Sequence, residues 1–244
     1  MDNLELLQKI PDNYINLIYC DILYNTGRKF KDFKDNLGTP QEAILWYKPR
    51  LEEMCRVLKE TGCIYLHMDW RLVHYIKVVM DEIFGIKNYR NEIIWCYKSG
   101  GINKKDFPKK YDNILKYSKT DSYPYYPELV PYSEKTIKRG LTKCKDIKYK
   151  LKNEGTPVIN WWDDITPLLS PTCYERVGYD TQKPKKLLER IIKTSSNKGD
   201  IVADFFCGSG TTLVVAKELE RKYIGCDINS RAVEITNQRL QKIL

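Results

Sequence analysis

The stretch that most constrains the fold is an apolar run, Ile201 to Phe205, which enters Asp204-Phe205-Phe206-Cys207-Gly208-Ser209-Gly210-Thr211-Thr212 and passes straight into a helical pattern, Thr211 to Glu220. A strand that turns over glycines into a helix is the first part of a βαβ unit. A second strand, Tyr223 to Asp227, and a helix from Ser230 to Ile243, capped by Asn229 or Ser230, complete the unit. Lacking Cβ, Gly208 and Gly210 can take positive φ and let a ligand press against the backbone. Asp227 ends the second strand about twenty residues on, where a carboxylate can accept hydrogen bonds from both hydroxyls of a ribose. The spacing is not GxGxxG, and the Gly-Lys-Ser/Thr of a phosphate loop is missing. A ligand with a ribose but no phosphate therefore fits better than a dinucleotide or a nucleoside triphosphate. A glycine turn alone is more often a plain bend, but the strand context and Asp227 shift the balance toward binding.

The first half of the chain repeats this grammar. Ile15 to Cys20 reads as a strand, Pro40 to Lys59 as a helix and Gly62 to Met68 as the next strand. Thr39 before Pro40 supplies an N-cap with proline at the first helical position, and Gly62 marks the stop. A helix, Arg71 to Phe84, and strands Asn91 to Tyr97 and Asn113 to Tyr117 follow. From Ser118 to Gly178 the pattern dissolves into Tyr, Pro and Lys with no run suited to a central strand, and regularity returns with a helix from Pro184 to Ser195. The 244 residues suit one α/β domain with an insert. Residues 1–117 form one half of that domain, 118–178 the insert and 179–244 the other half.

Lys and Arg number 41 against 32 Asp and Glu, a net charge of +9 that suits a polyanionic partner or simply a soluble surface. Lysines cluster at Lys104 and Lys105 and again between Lys135 and Lys152, where Lys138, Arg139, Lys143 and Lys145 are candidates for phosphate contact. The eight cysteines include no CxxC pair and have two histidines for company, so no metal site is expected, and free thiols point to a reducing cytoplasm. No apolar run nears the roughly twenty residues of a membrane span, so no membrane role is expected.

The run Asp204 to Thr212 resembles the Asp-Pro-Phe-x-Gly-Ser-Gly motif of amino-group DNA methyltransferases, which bind S-adenosylmethionine. Tyr179-Asp180-Thr181-Gln182-Lys183-Pro184 is similar to their Thr-Gln-Lys-Pro segment, and Tyr223 to Ile228 to their second cofactor strand. Asp21-Ile22-Leu23-Tyr24, delivered to a carboxyl sheet edge by the first strand, resembles their Asp-Pro-Pro-Tyr, and Asn25-Thr26-Gly27 continues the likeness to adenine-modifying enzymes of type II and type III restriction systems. The target-base motif precedes the cofactor motif, which is the circularly permuted β-group order.

That resemblance implies a Rossmann-like α/β methyltransferase sheet with helices on both faces and a target-recognition region as the insert. It further implies S-adenosylmethionine as cofactor, double-stranded DNA as partner and a homodimer; a cognate restriction endonuclease is a candidate partner that the sequence does not itself imply. The catalytic set it implies is Asp21, Ile22, Leu23 and Tyr24. The implied cofactor contacts are Asp21, Thr181, Gln182, Lys183, Asp204, Phe205, Phe206, Cys207, Gly208, Ser209, Gly210, Thr211, Asp227 and Ile228. His67 and Asp69, closing the strand from Gly62, are second-tier candidates, although a strand histidine is more often a satisfied core residue. Trp161-Trp162-Asp163-Asp164 looks like a further family segment, core or base-stacking.

The residue types suit the chemistry. An adenine amino lone pair is delocalised into the ring, and acceptors on its hydrogens, Asp21 and the Ile22 carbonyl, aim that lone pair at a sulfonium methyl. Tyr24 offers a stacking face for a base flipped out of duplex DNA, worth about 1–3 kcal/mol. Ile22 and Leu23 stand where the family has prolines, which predicts a looser loop, by on the order of 1 kcal/mol per freed residue. Phe205 also replaces a proline. Three other readings stay open: cytosine-N4 methylation, for which the family motif usually begins with Ser; a DNA- and cofactor-binding relative with weakened catalysis; and, more remotely, a nicotinamide oxidoreductase.

Overall fold

The computed structural model describes residues 1–31, 33–97, 103–144, 147–151, 154–168, 170 and 173–243; side chains of 141–150 lie outside that description. A seven-stranded sheet contains β1 (Ile15–Asp21), β2 (Leu58–Met68), β3 (Tyr89–Cys96), β4 (Tyr111–Ser118), β5 (Trp161–Trp162), β6 (Ile201–Asp204) and β7 (Lys222–Gly225) in the order β5-β3-β4-β2-β1-β6-β7. β2, β1, β6 and β7 run parallel, whereas β4 is antiparallel to both β2 and β3. The centre joins the two ends of the chain: Leu17 pairs with Val202 and Ile18 with Ala203. This register brings the carboxyl ends of β1 and β6 to the same edge, side by side.

Helices cover both faces, which explains the apolar run Leu17 to Cys20 within β1. Ile18 and Cys20 face α1 (Asn3–Leu7), α2 (Pro40–Val57) and α3 (Val73–Phe84) in one core; Leu17 and Tyr19 face α4 (Lys185–Ser195) and α5 (Thr211–Glu218) in the other. A last helix, α6 (Ser230–Gln241), packs on α5. The start of α2 follows from its cap: Thr39 Oγ1 accepts from the Glu42 N–H at 3.3 Å, and the Glu42 carboxylate accepts from the Thr39 N–H at 2.6 Å.

Gly62 is not the stop of α2. The helix ends at Val57 and β2 begins at Leu58, with Gly62 inside the strand, where β1 pairing skips from Leu58 opposite Ile15 to Cys63 opposite Leu17. A bulge has absorbed the glycine. Within residues 118–178, expected as an insert, β5 extends the sheet edge, Trp161 pairing with Ile94 and Trp162 with Trp95. The other described elements there are small: a Leu129–Val130/Thr156–Pro157 ladder, a helix at Glu134–Arg139 and a Leu141–Cys144/Ile147–Lys150 hairpin. Among the described residues no helix is long and apolar enough to cross a membrane, and no His/Cys/Asp/Glu group suits a metal ion.

Candidate active site

At the carboxyl edge of β1, β6 and β7 lies a cavity of about 480 Å³. It is lined by Asp21, Thr181, Gln182, Lys183, Asp204, Phe205, Phe206, Cys207, Gly208, Ser209, Thr211, Asp227 and Ile228, which is the expected cofactor set except Gly210. Gly208, at φ +48°, gives its N–H to Asp227 Oδ2 at 2.9 Å, and a Cβ on it would stand 3.1 Å from the Tyr179 ring. Gly210 has a different task from the one expected. At φ +75° it caps α5, and a Cβ there would lie 2.4 Å from Thr236 Oγ1, so its missing side chain lets α6 approach the turn.

Three carboxylates mark this cavity. Asp227 Oδ1 accepts from the Asn229 N–H at 2.8 Å; each of its oxygens, already holding one backbone N–H, retains a lone-pair direction for a further donor. Burial pushes its carboxyl upward, and the N–H donors offset part of that. Asp204, 2% exposed, accepts from Thr212 Oγ1 at 2.5 Å and from the Phe206 N–H at 3.0 Å. Desolvation dominates there, and its carboxyl is pushed up to about 7.

The third carboxylate, Asp21, also belongs to a second cavity of about 680 Å³, lined by Asp21, Ile22, Leu23 and Tyr24 together with Asp69, Asp112 and Tyr97. Asp21, Leu23, Phe33, Thr181 and Lys183 line both spaces, so the two cavities meet across one wall. On that wall Lys183 Nζ donates to Asp21 Oδ2 at 2.5 Å, and the Tyr24 hydroxyl donates to Asp21 Oδ1 at 2.8 Å. Burial, reinforced by Asp112 and Asp21, raises the Tyr24 phenol well above its ordinary value, so it remains a donor.

Below Tyr24 lies a polar chain of which sequence reasoning named only His67. Asp112, at the head of β4, accepts from Tyr97 at 3.2 Å and from Tyr24 at 3.4 Å, and its Oδ2 is 3.3 Å from His67 Nε2. His67 is fully buried, with Nδ1 2.8 Å from the Tyr19 hydroxyl. Both interactions are met when Nε2–H donates to Asp112 and Nδ1 accepts from Tyr19. Burial works to raise the Asp112 carboxyl, but the hydrogen bond from His67, with Lys183 and the Tyr97 hydroxyl, outweighs it and holds it below the usual range. The signal for Asp112 was an acid heading an apolar strand, hidden behind Lys109, Lys110 and Tyr111.

The loop after Asp21 is fastened without prolines. The Ile22 N–H donates to the His67 carbonyl at 3.1 Å, and Ile22 is 3% exposed. Tyr47 donates to the Leu23 carbonyl at 2.9 Å. The buried Asp35 carboxylate accepts from the N–H groups of Asn25 and Thr26, at 2.9 and 3.0 Å, and from Thr26 Oγ1 at 2.5 Å. The looseness expected from Ile22 and Leu23 is thus countered by bonds from partners far along the chain. Of the expected DNA-contacting cations, Lys104, Lys105, Lys138 and Arg139 are exposed and line neither cavity; Lys145 and the side chain of Lys143 lie outside the described residues.

The two cavities meet at the Asp21–Lys183 wall on a mixed Rossmann-like sheet, and residues 15–238 match the N6/N4 family described as DNA methylase, to which the chain belongs. It is 34% identical over 246 residues to the DNA adenine methyltransferase YhdJ of Escherichia coli (strain K12), covering 98% of this chain and 80% of that one. Over 240 residues it is 31% identical to the type II methyltransferase M.HpaI of Haemophilus parainfluenzae, covering 97% and 71%. The same fold is seen in M1.HpyAVI solved in complex with SAM (TM-score 0.63, 20% identity, 98% of this chain and 96% of that one). It recurs in the cytosine-N4-specific PvuII DNA methyltransferase (TM-score 0.64, 20% identity, 99% and 91%).

Proposed function

We propose that the chain transfers the methyl group of S-adenosylmethionine to the N6 amino group of an adenine in duplex DNA. The observation that carries this reading is the shared wall: a ligand beside Gly208 and a base beside Tyr24 would both touch Asp21. The first cavity fits the cofactor on its own terms. Its volume is that of a small-molecule site, Asp227 keeps acceptor capacity for ribose hydroxyls, and the carboxylates of Asp21 and Asp227 favour a cationic ligand. S-adenosylmethionine bound there would supply an electrophilic methyl group on a sulfonium.

The chain's own residues then act on the base. Asp21 keeps lone-pair directions beyond those given to Lys183 and Tyr24, so it can accept an amino hydrogen with both protein donors in place. Among the described residues no protein donor uses the Ile22 carbonyl, which leaves it as the second acceptor. Holding both hydrogens turns the nitrogen lone pair toward the cofactor side of the wall. Adenine is preferred over cytosine because the motif opens with Asp21, and because YhdJ, a relative over nearly the whole chain, is named an adenine methyltransferase.

The test is incubation of the protein with methyl-labelled cofactor and assorted duplexes, followed by nucleoside analysis. Label in N6-methyladenine supports the reading; label in N4-methylcytosine replaces the base assignment; bound cofactor with no label in any DNA overturns it.

A further inference from the structure

The second cavity is lined by both acids and cations. Asp21, paired with Lys183, and the buried Asp112 are its sheltered acids, whereas Arg28 and Lys109 are exposed cations and Arg71 is paired with Asp69. Between those cations is Trp70, two residues beyond the end of β2. It is 38% exposed, with Arg71 Cζ and Lys109 Nζ each 4.8 Å from its ring centroid. Trp70 also lines the cavity, so its exposed part is open to whatever enters there. An aromatic face among cations is the arrangement that stacks on bases while neighbouring charges meet phosphates.

We propose that Trp70 is the wedge that enters the DNA stack as the target base leaves it, with Lys109 and Arg28 on the flanking phosphates. This rests on the methyl-transfer reading above and deepens it: a base reaching Asp21 from a duplex must leave its pair, and the vacated stack needs an occupant. Charge sorts the parts of the substrate. The sheltered acids favour an exocyclic amine and repel phosphate, while the exposed cations do the reverse. Phe107, 89% exposed, belongs to the same basic segment but does not line the cavity, which makes it the internal comparison.

The test uses the duplex in which the methylated base has been mapped, with 2-aminopurine in place of that base, so that leaving the stack raises its fluorescence. Wild-type protein should raise the fluorescence on binding; Trp70→Ala should lose most of the rise, Trp70→Phe should retain it, and Phe107→Ala should behave as wild type. Trp70→Ala should also bind the matched duplex about 10-fold more weakly, yet come close to wild type when the target base is mispaired, because unpairing is then already done. The proposal falls if Trp70→Ala keeps the rise, if its loss is equal on matched and mispaired duplexes, or if Phe107→Ala reproduces it. Should wild-type protein methylate no duplex, the methyl-transfer reading fails and the wedge with it; methylation with an indifferent Trp70 removes the wedge alone.

Discussion

Lys183 Nζ and Asp21 Oδ2 lie 2.5 Å apart across 162 residues of chain, their side chains only 14% and 18% exposed. The pair joins the Thr181–Lys183 segment to Asp21 on the wall that both cavities share, and it tempers the charge of Asp21, where the proposed reaction would bring cofactor and base together. Lys183→Met would strand that carboxylate. It should destabilise the protein by about 3 kcal/mol in urea unfolding near neutral pH, the low end for a mostly buried pair, and slow methyl transfer. Asp21→Asn should keep the fold but lower methyl transfer by about 10²-fold or more, because an amide presents a donor where an acceptor is needed.

Ile22→Pro is expected to harm the protein rather than improve it. The substitution removes the N–H that reaches the His67 carbonyl and leaves that acceptor unpaired inside the core. A loss of about 1–3 kcal/mol should appear as a lower thermal midpoint, with no gain in methyl transfer. A faster or more stable variant would show that the hydrogen bond does not hold the loop.

Asp204 gives stability a pH dependence of definite sign. Its folded carboxyl titrates at about 7 against 3.8 in a free chain, so between those values the folded protein holds a proton that the unfolded chain has released. Its contribution is fully present below about pH 4 and is lost as pH rises through about 7. Asp204→Asn removes the titration, so the variant should gain stability relative to wild type between about pH 5 and pH 8. Denaturant midpoints across that range measure it; a constant difference would mean that Asp204 does not change protonation.

The exposed pairs Lys104/Lys105 and Lys138/Arg139 can be ranked by salt. Replacing either pair with alanine should reduce the slope of log affinity against log salt by about 0.9 for each phosphate no longer neutralised, without changing cofactor affinity. A slope that stays put for one pair places that pair off the DNA.

Much of this site could be read in the sequence because its chemistry sits at strand ends that announce themselves. β1 running into Asp21, β6 running into Asp204 and β7 preceding Asp227 are each a short apolar run followed by an acid. The order of motifs also foretold that the chain's two ends would meet.

What stayed hidden depends on interactions made across the fold. Asp35 lies in a polar loop with no periodicity, and only folding shows it buried with its carboxylate around Asn25 and Thr26. The Lys183–Asp21 pair was invisible for the same reason, since the two residues belong to separate motifs far apart in the chain. Gly62 misled because a bulge and a helix stop use the same residue. Gly210 misled because close packing of α6 demands a missing Cβ as firmly as a ligand does.

The adjacency of β1 and β6 has a practical corollary. Cys20 and Phe205 touch at 185 residues' separation, and the chain between them passes through the helix Glu134–Arg139, which has no buried residue. Cutting the backbone at that helix would yield two pieces, one carrying Asp21 and the other Gly208, each blind to half of the chemistry. Methylation recovered on mixing them would then serve as a gauge of how strongly the two pieces recognise one another.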